Sequence, residues 1–281
     1  INIMINIIYA VGLNLILGVA GQFSLGHAGF IAIGSYSGAI LGKMINGLPG
    51  LFAGMAVGVV ISVIVAFLVG LPTLRLKGDF LAIATLGVAE IIRVAVTNMK
   101  ITNGAAGISG VPLTNTWTIT YIFLVVTTIL ILNYTFSSAG RATYGVLQDE
   151  IAAESMGVQV TKYKILAFVL GAATASIGGT LSATTLGAVT PGDFTFMKSI
   201  DVLIIVVFGG IGSFTGSFVA AVLLGIINLV LQPFGQLRMI IYAVALILIM
   251  IFRPGGLLGT WEFKLGNLKF SKKKEAKESG K

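Results

Sequence analysis

The sequence predicts an all-α fold: a polytopic bundle of about nine transmembrane helices, with broken helices among them. Three observations carry that expectation. Only 10% of the 281 residues are charged, where soluble domains carry about a quarter. The mean hydropathy is +1.01 and 56% of residues are hydrophobic, so polar surface is too scarce to cover a water-soluble globule of this size. The apolar residues also fall in long runs. The clearest, 51–71, holds no charge, and about 20 apolar residues cross a bilayer as a helix.

Taken in order, the spans fall at 2–20, 27–43, 51–72, 79–97, 118–136, 164–186, 200–212, 215–233 and 238–252. The span at 200–212 is short and the one at 27–43 begins in a Gly-rich segment, so either can be part of a broken helix. Broken helices are tolerated where protein or a water-filled cavity satisfies the freed backbone. Small residues recur at helix-packing spacing, at Gly34 and Gly38, Gly54 and Gly58, and Gly212 and Gly216. Such pairs let helices approach closely in lipid.

Lysine and arginine set the orientation. One set of loops holds Arg75, Lys77, Arg141, Lys162, Lys164, Arg253 and seven lysines after residue 263; the other holds Lys43, Lys100, Lys198 and Arg238. The richer set is expected inside. That gives a transmembrane domain over 1–263 and a basic cytoplasmic tail over 264–281, best read as lying beside an anionic leaflet rather than on nucleic acid. Nine crossings put residue 1 outside, and a non-Met start there points to a further span upstream. No signal peptide is visible. Cysteine is absent, which removes disulfides, thiolate metal sites and a Cys nucleophile.

The polar stretch 137–164 is the most informative. Residues 146–156 read as one short amphipathic helix: Leu147 and Ile151 on one face, Glu150 and Glu154 on another. Gly157 supplies the stop. Two readings stand, a docking helix for a soluble partner and a connector lying on the membrane surface.

The run Gly21-Gln22-Phe-Ser24-Leu-Gly-His27 sets polar groups beside apolar spans. They either line a solute pathway or satisfy interhelical hydrogen bonds. Phe208-Gly-Gly210-Ile-Gly-Ser213-Phe-Thr-Gly216 follows a strand-like run at 202–207 but lacks the G-x-G-x-x-G spacing of a dinucleotide turn. It reads as a second Gly-rich break, and two such breaks point to a site between halves of the chain. Glu90 and Arg93, three apart, read as a structural ion pair rather than a solute site. Asp79 and Asp201 read as acidic residues at helix N-termini. Residues 102–110 read as a flexible outer loop. There is no phosphate loop, no recognisable catalytic triad and no zinc set.

Asp149-Glu150-Ile-Ala152-Ala153-Glu154-Ser-Met156-Gly157 resembles the coupling segment of ATP-binding cassette importer permeases. Residues 12–30, 76–87 with Glu90 to Arg93, 208–216 and 252–259 resemble, in order, signatures of the branched-chain amino acid permeases of the LivM type. The resemblance implies a non-enzymatic transport subunit of a bacterial inner membrane, with its C-terminus cytoplasmic. Its partners would be a second homologous permease, two ATPases that carry the ATP and magnesium, an extracytoplasmic binding protein and membrane lipid, with no nucleic acid. It implies that 149–157 couples to the ATPases, that the solute is Leu, Ile or Val, and that the binding protein largely sets selectivity. Urea or another small amide is the alternative solute. An ion-driven secondary transporter is the alternative class, and would need titratable residues at mid-membrane, of which the sequence offers few. An intramembrane enzyme ranks third, for want of a catalytic set.

Overall fold

The computed structural model describes residues 1–73, 76, 78–231, 256, 257 and 259. The last expected span, 238–252, and the basic tail 264–281 lie outside the described residues, as do Arg75, Lys77, Arg238 and Arg253.

Ten α-helices account for most of the described chain. In order they are α1 (Asn2–Asn14), α2 (His27–Met44), α3 (Leu48–Thr73), α4 (Asp79–Asn98), α5 (Trp117–Phe136), α6 (Ser138–Gln148), α7 (Glu150–Ser155), α8 (Val160–Leu186), α9 (Phe196–Gly209) and α10 (Phe214–Val230). A π-helical turn, Leu15–Val19, prolongs α1. Among the described residues, five stretches are long and apolar enough to cross a membrane: Asn2–Val19, α3, α4, α5 and α8. The helices α9 and α10 are bent by 118° at their junction and count as one broken span or a re-entrant loop, which gives up to six. Of the nine expected, the span at 238–252 lies outside the described residues, and the remaining eight differ in two places. The stretches expected as separate crossings at 200–212 and 215–233 form that bent pair. The helix expected at 27–43 is present as α2 but is more polar, with His27, Ser35, Ser37 and Lys43. Its surroundings explain this: thirteen of its residues, His27 and Ser35 among them, are buried by protein, so lipid does not dictate its composition.

The core is a three-helix junction of α2, α3 and α8. Glycines make it possible. A Cβ at Gly34 would collide with the Ser176 carbonyl, one at Gly54 with the Gly38 backbone, and one at Gly58 would touch Gly34 Cα at 3.2 Å. The first two small-residue pairs therefore pack on each other. The resulting closeness permits hydrogen bonds across helices: Ser35 Oγ donates to the Gly179 carbonyl at 3.0 Å and Thr180 Oγ1 to the Gly34 carbonyl at 2.9 Å. The third pair differs, because Gly212 lies in the break before α10. There Gly216 packs on Gly209 instead.

The two ends of α8 define the two ends of the molecule. With a rise of 1.5 Å per residue, its 27 residues span about 40 Å. Helices α6 and α7 lie at its start. At its far end a two-residue strand β2 (Ala188–Val189) pairs antiparallel with β1 (Ile108–Ser109). The stretch 102–110 is therefore pinned rather than a free loop. Asn103, at φ 61°, donates from Nδ2 to the Gly107 carbonyl at 2.9 Å, and Lys43 Nζ donates to the Ser109 carbonyl at 3.0 Å. Helix α9 starts at Phe196, so Asp201 is not at its N-terminus but more than a turn in, where it is exposed. Asp79 does lie in the first turn of α4. The strand-like run 202–207 is helical, because a short apolar run carries no period of its own.

Candidate functional site

Two places hold the residues singled out from the sequence: a short helix pair at the α8 start, and two breaks that meet at the end of α1.

The helix pair replaces the single helix expected over 146–156. Helix α6 ends at Gln148 and α7 begins at Glu150, with Asp149 extended between them at φ −154°. The Asp149 side chain explains the break. Its Oδ1 accepts from the N–H groups of Ile151 and Ala152 at 2.9 and 3.0 Å, an N-cap that starts a new helix rather than continuing the old one. At the other end the Val158 N–H bonds to the Ala153 carbonyl and the Gly157 N–H to the Glu154 carbonyl, at 3.0 and 2.9 Å. These are the two bonds of a Schellman stop, with Gly157 at φ 83° in its left-handed position. Leu147 and Ile151 consequently do not share a face. Leu147 packs toward Gly21, while Ile151 is 76% exposed.

Ala153 is buried against Val146, Val158 and Val160 and holds α7 to its neighbours. Glu150 Oε2 pairs with Lys164 Nζ of α8 at 2.9 Å, so that carboxylate is turned toward the bundle. What α7 presents outward is Ile151, Ala152, Glu154 and Met156, the last 83% exposed.

The first break is the segment between Val19 and His27. Its backbone donors find partners on the π turn, on α4 and within the break itself. Gln22 N–H donates to the Ile16 carbonyl at 3.0 Å, Leu25 N–H to Thr85 Oγ1 at 3.1 Å and Gly26 N–H to Ser24 Oγ at 3.3 Å. Just beyond, Ala28 N–H donates to Ser199 Oγ at 2.9 Å. Gln22, Ser24 and His27 are all buried, at 2%, 3% and 1% exposure. Ser24 is thus engaged locally. The Gln22 amide and both His27 ring nitrogens meet no hydrogen-bond partner among the described residues. The His27 ring stands edge-on to Tyr9, centroids 6.5 Å apart.

The second break is the α9–α10 vertex. Gly210 turns the chain at φ 111°, and Ser213 Oγ caps α10 by accepting from Gly216 N–H at 3.0 Å. Asn14, fully buried at the end of α1, fixes this vertex. Its Oδ1 accepts from Gly212 N–H at 2.9 Å, and its Nδ2 donates to the Ser213 carbonyl at 2.9 Å and to Ser217 Oγ at 3.1 Å. A Cβ on Gly18 would strike the Gly212 backbone. Both breaks therefore adjoin the same π turn: one continues from it and the other packs on it. π-turns interrupt the regular helical ladder and are frequent at functional sites.

Asn14, Tyr9, Thr85 and Ser199 were not singled out from the sequence. Asn14 had a signal, a lone amide in the apolar run 10–19. The others act through partners distant in sequence. Glu90 and Arg93 do meet on α4: Arg93 Nε donates to Glu90 Oε2 at 2.9 Å, and a second short contact joins Arg93 Nη2 to Glu90 Oε1. Among the described residues no group of three His, Cys, Asp or Glu is placed to hold a metal ion.

Comparison with known proteins fits these features. The family model described as branched-chain amino acid transport system / permease component matches residues 1–252. The chain is 37% identical to the high-affinity branched-chain amino acid transport system permease protein LivM of Salmonella typhimurium, over 91% of this chain and 68% of that protein. It is 36% identical to LivM of Escherichia coli over the same shares. It is also 29% identical to the ribose import permease protein RbsC of Escherichia coli, over 87% of this chain and 80% of that one. No solved structure matches. A match over residues 1–252 and these identities settle the family: the chain belongs to the permease components of branched-chain amino acid transport systems.

Proposed function

We propose that this permease imports branched-chain amino acids across a bacterial inner membrane, driven by two ATPase subunits that grip α7. A second, homologous permease completes the passage, and an extracytoplasmic binding protein delivers the solute at the β1–β2 end. The single observation that carries this reading is the construction of α7. It is capped at both ends and tied to α8 by Glu150–Lys164, yet turns Ile151, Glu154 and Met156 outward. A rigid small helix anchored to a long spanning helix transmits a push, whereas a flexible connector absorbs it. In this reading the α6–α7 end is cytoplasmic, in accord with Arg141, Lys162 and Lys164 on that side. The tail 264–281 lies on the same side, and ATP and magnesium belong to the partner subunits.

In the pathway, the two breaks at the π turn supply free backbone and buried amide, hydroxyl and imidazole groups, which suit brief contacts with a zwitterion. Glu90 and Arg93 neutralise each other on an exposed side of α4.

The test is reconstitution of the full complex in proteoliposomes. Gly157→Pro cannot adopt a positive φ and should separate ATP hydrolysis from uptake, as should charge reversal at Glu154. Unchanged leucine uptake in both removes the coupling role. The substrate is tested by thermal-shift screening of the cognate binding protein against Leu, Ile, Val, urea and ribose. A shift with the amino acids alone is expected, and a shift with urea or ribose alone overturns the assignment.

A further inference from the structure

Beyond the breaks, a separate cavity of about 230 Å³ opens between α1, α2, α8 and the turn that leads into α9. Its polar lining is charged and hydroxylic: Tyr9, Ser35, Ser182, Asp193 and Lys198. Its apolar lining is aliphatic and aromatic, with Ile31, Leu186, Val189 and Phe194. The cavity is small, below the usual range of about 300–1,000 Å³ for ligand pockets, and so suits a solute of about ten heavy atoms at most.

Ser35 is spent on the Gly179 carbonyl, but Tyr9, Asp193 and Lys198 are not fully consumed by the fold. Tyr9 is 1% exposed, and its hydroxyl, beside Ser182, meets no partner in hydrogen-bond geometry. Lys198 Nζ lies 5.5 Å from the Tyr9 ring centroid and forms no ion pair among the described residues. Asp193 uses Oδ2 to cap the turn at Thr190, accepting from its N–H at 3.0 Å and its Oγ1 at 2.8 Å; Oδ1 takes no part in those bonds. A buried tyrosine hydroxyl outside hydrogen-bond geometry, a half-buried ammonium attracted by Asp193 and Asp201 without a close ion pair, and an exposed carboxylate with an oxygen to spare thus line one small space. The Tyr9 hydroxyl, buried without a hydrogen bond, is the one that calls for an explanation; Asp193 and Lys198 add charge at the cavity. Together they match the two ends of an amino-acid zwitterion, with apolar side chains beside them.

We infer that this cavity is an entry subsite for a free aliphatic α-amino acid. Lys198 and the Tyr9 hydroxyl take the carboxylate, Asp193 takes the ammonium, and Ile31, Leu186 and Phe194 hold the side chain. The inference rests on the importer reading for its ligand class. It places the solute at the β1–β2 end, on the path toward His27, whose ring abuts Tyr9.

The chain has no cysteine, so Ser182→Cys puts one thiol in the cavity wall. Labelling by a small methanethiosulfonate reagent is followed by mass spectrometry on this chain, in the full complex in nanodiscs. Leucine should slow labelling; isopentylamine, which lacks the carboxylate, and 4-methylpentanoate, which lacks the ammonium, should not. Lys198→Gln should weaken protection by about tenfold to a hundredfold, the worth of a charge-assisted hydrogen bond, and Lys198→Arg should restore part of it. ATP-driven leucine uptake is measured on the same preparations. Uptake with no leucine protection overturns the subsite and leaves the importer intact. Protection without uptake supports the subsite and overturns the importer reading. Equal protection by the amine or the acid overturns zwitterion recognition, as does protection indifferent to Lys198→Gln.

Discussion

Replacing Asn14 with Leu should detach the α9–α10 vertex from α1. The side chain makes three hydrogen bonds, at 2.9, 2.9 and 3.1 Å, inside the bundle. The three are not equal. The Ser213 carbonyl keeps bonds from Ser217 N–H and Ser217 Oγ, both at 3.1 Å, so little is lost there. The Gly212 N–H, half-buried, has Asn14 as its acceptor, and leaving it without one costs about 1–2 kcal/mol, the lower part of the range for a buried donor. The Ser217 bond adds about 0.6 kcal/mol, with about 1.7 the most seen for such pairs in membrane bundles. The sum is about 2–4 kcal/mol, while leucine of similar size keeps the packing. Unfolding of the purified permease by SDS titration in mixed micelles, read by helical circular dichroism, measures it. A double-mutant cycle with Ser217→Ala isolates the pair and should return a coupling of about 0.6–1.7 kcal/mol. Additivity to within about 0.3 kcal/mol would refute the hydrogen-bond reasoning.

Gly34→Leu should destabilise the α2–α8 contact by at least about 3 kcal/mol, since its Cβ meets the Ser176 carbonyl and neither backbone can withdraw; the same micelle titration checks it. Gly157→Ala meets no neighbour but must hold φ 83°, so it should cost about 1 kcal/mol from backbone strain alone. Asn115→Ala removes donations to Thr120 Oγ1, the Leu181 carbonyl and Thr185 Oγ1 and should lower stability by about 1–2 kcal/mol. Lys164→Glu should change stability by less than about 1 kcal/mol, as partly exposed pairs do, yet impair ATP-coupled uptake; Glu150→Lys added to it should recover uptake.

How much was legible in the sequence follows from the physics of each element. Helices over 51–72, 79–97 and 118–136 were readable to within a few residues because lipid demands a long apolar run and intrahelical bonds. The same rule did not foresee how α2 and α9–α10 are built. A helix surrounded by protein can carry His27 and Ser35, and a 118° bend depends on Gly210 and Gly212 in positive φ with Asn14 holding the turn from 198 residues away. The split between α6 and α7 was hidden because Leu147, Ile151, Glu150 and Glu154 satisfy a helical period whether or not Asp149 caps a new helix. The local signal was Asp149 itself, a strong N-cap residue placed inside the expected helix. Gln22, Ser24 and His27 were legible as buried polar groups. Lys198 was visible only as an outer-loop charge. Its meeting with Tyr9 and Asp193 needs the chain to return across the bundle, and no local pattern records that.

The central claim is that α7 is the surface through which ATP hydrolysis moves the bundle. The most direct measurement is ATP-driven leucine uptake by the full complex in proteoliposomes carrying Ile151→Asp with Met156→Asp. Both residues are exposed and neither supports the fold, so unfolding midpoints should match those of the wild type. Uptake should be lost, and the ATPase subunits should be missing from the purified complex. Wild-type uptake with the ATPases still bound would contradict it.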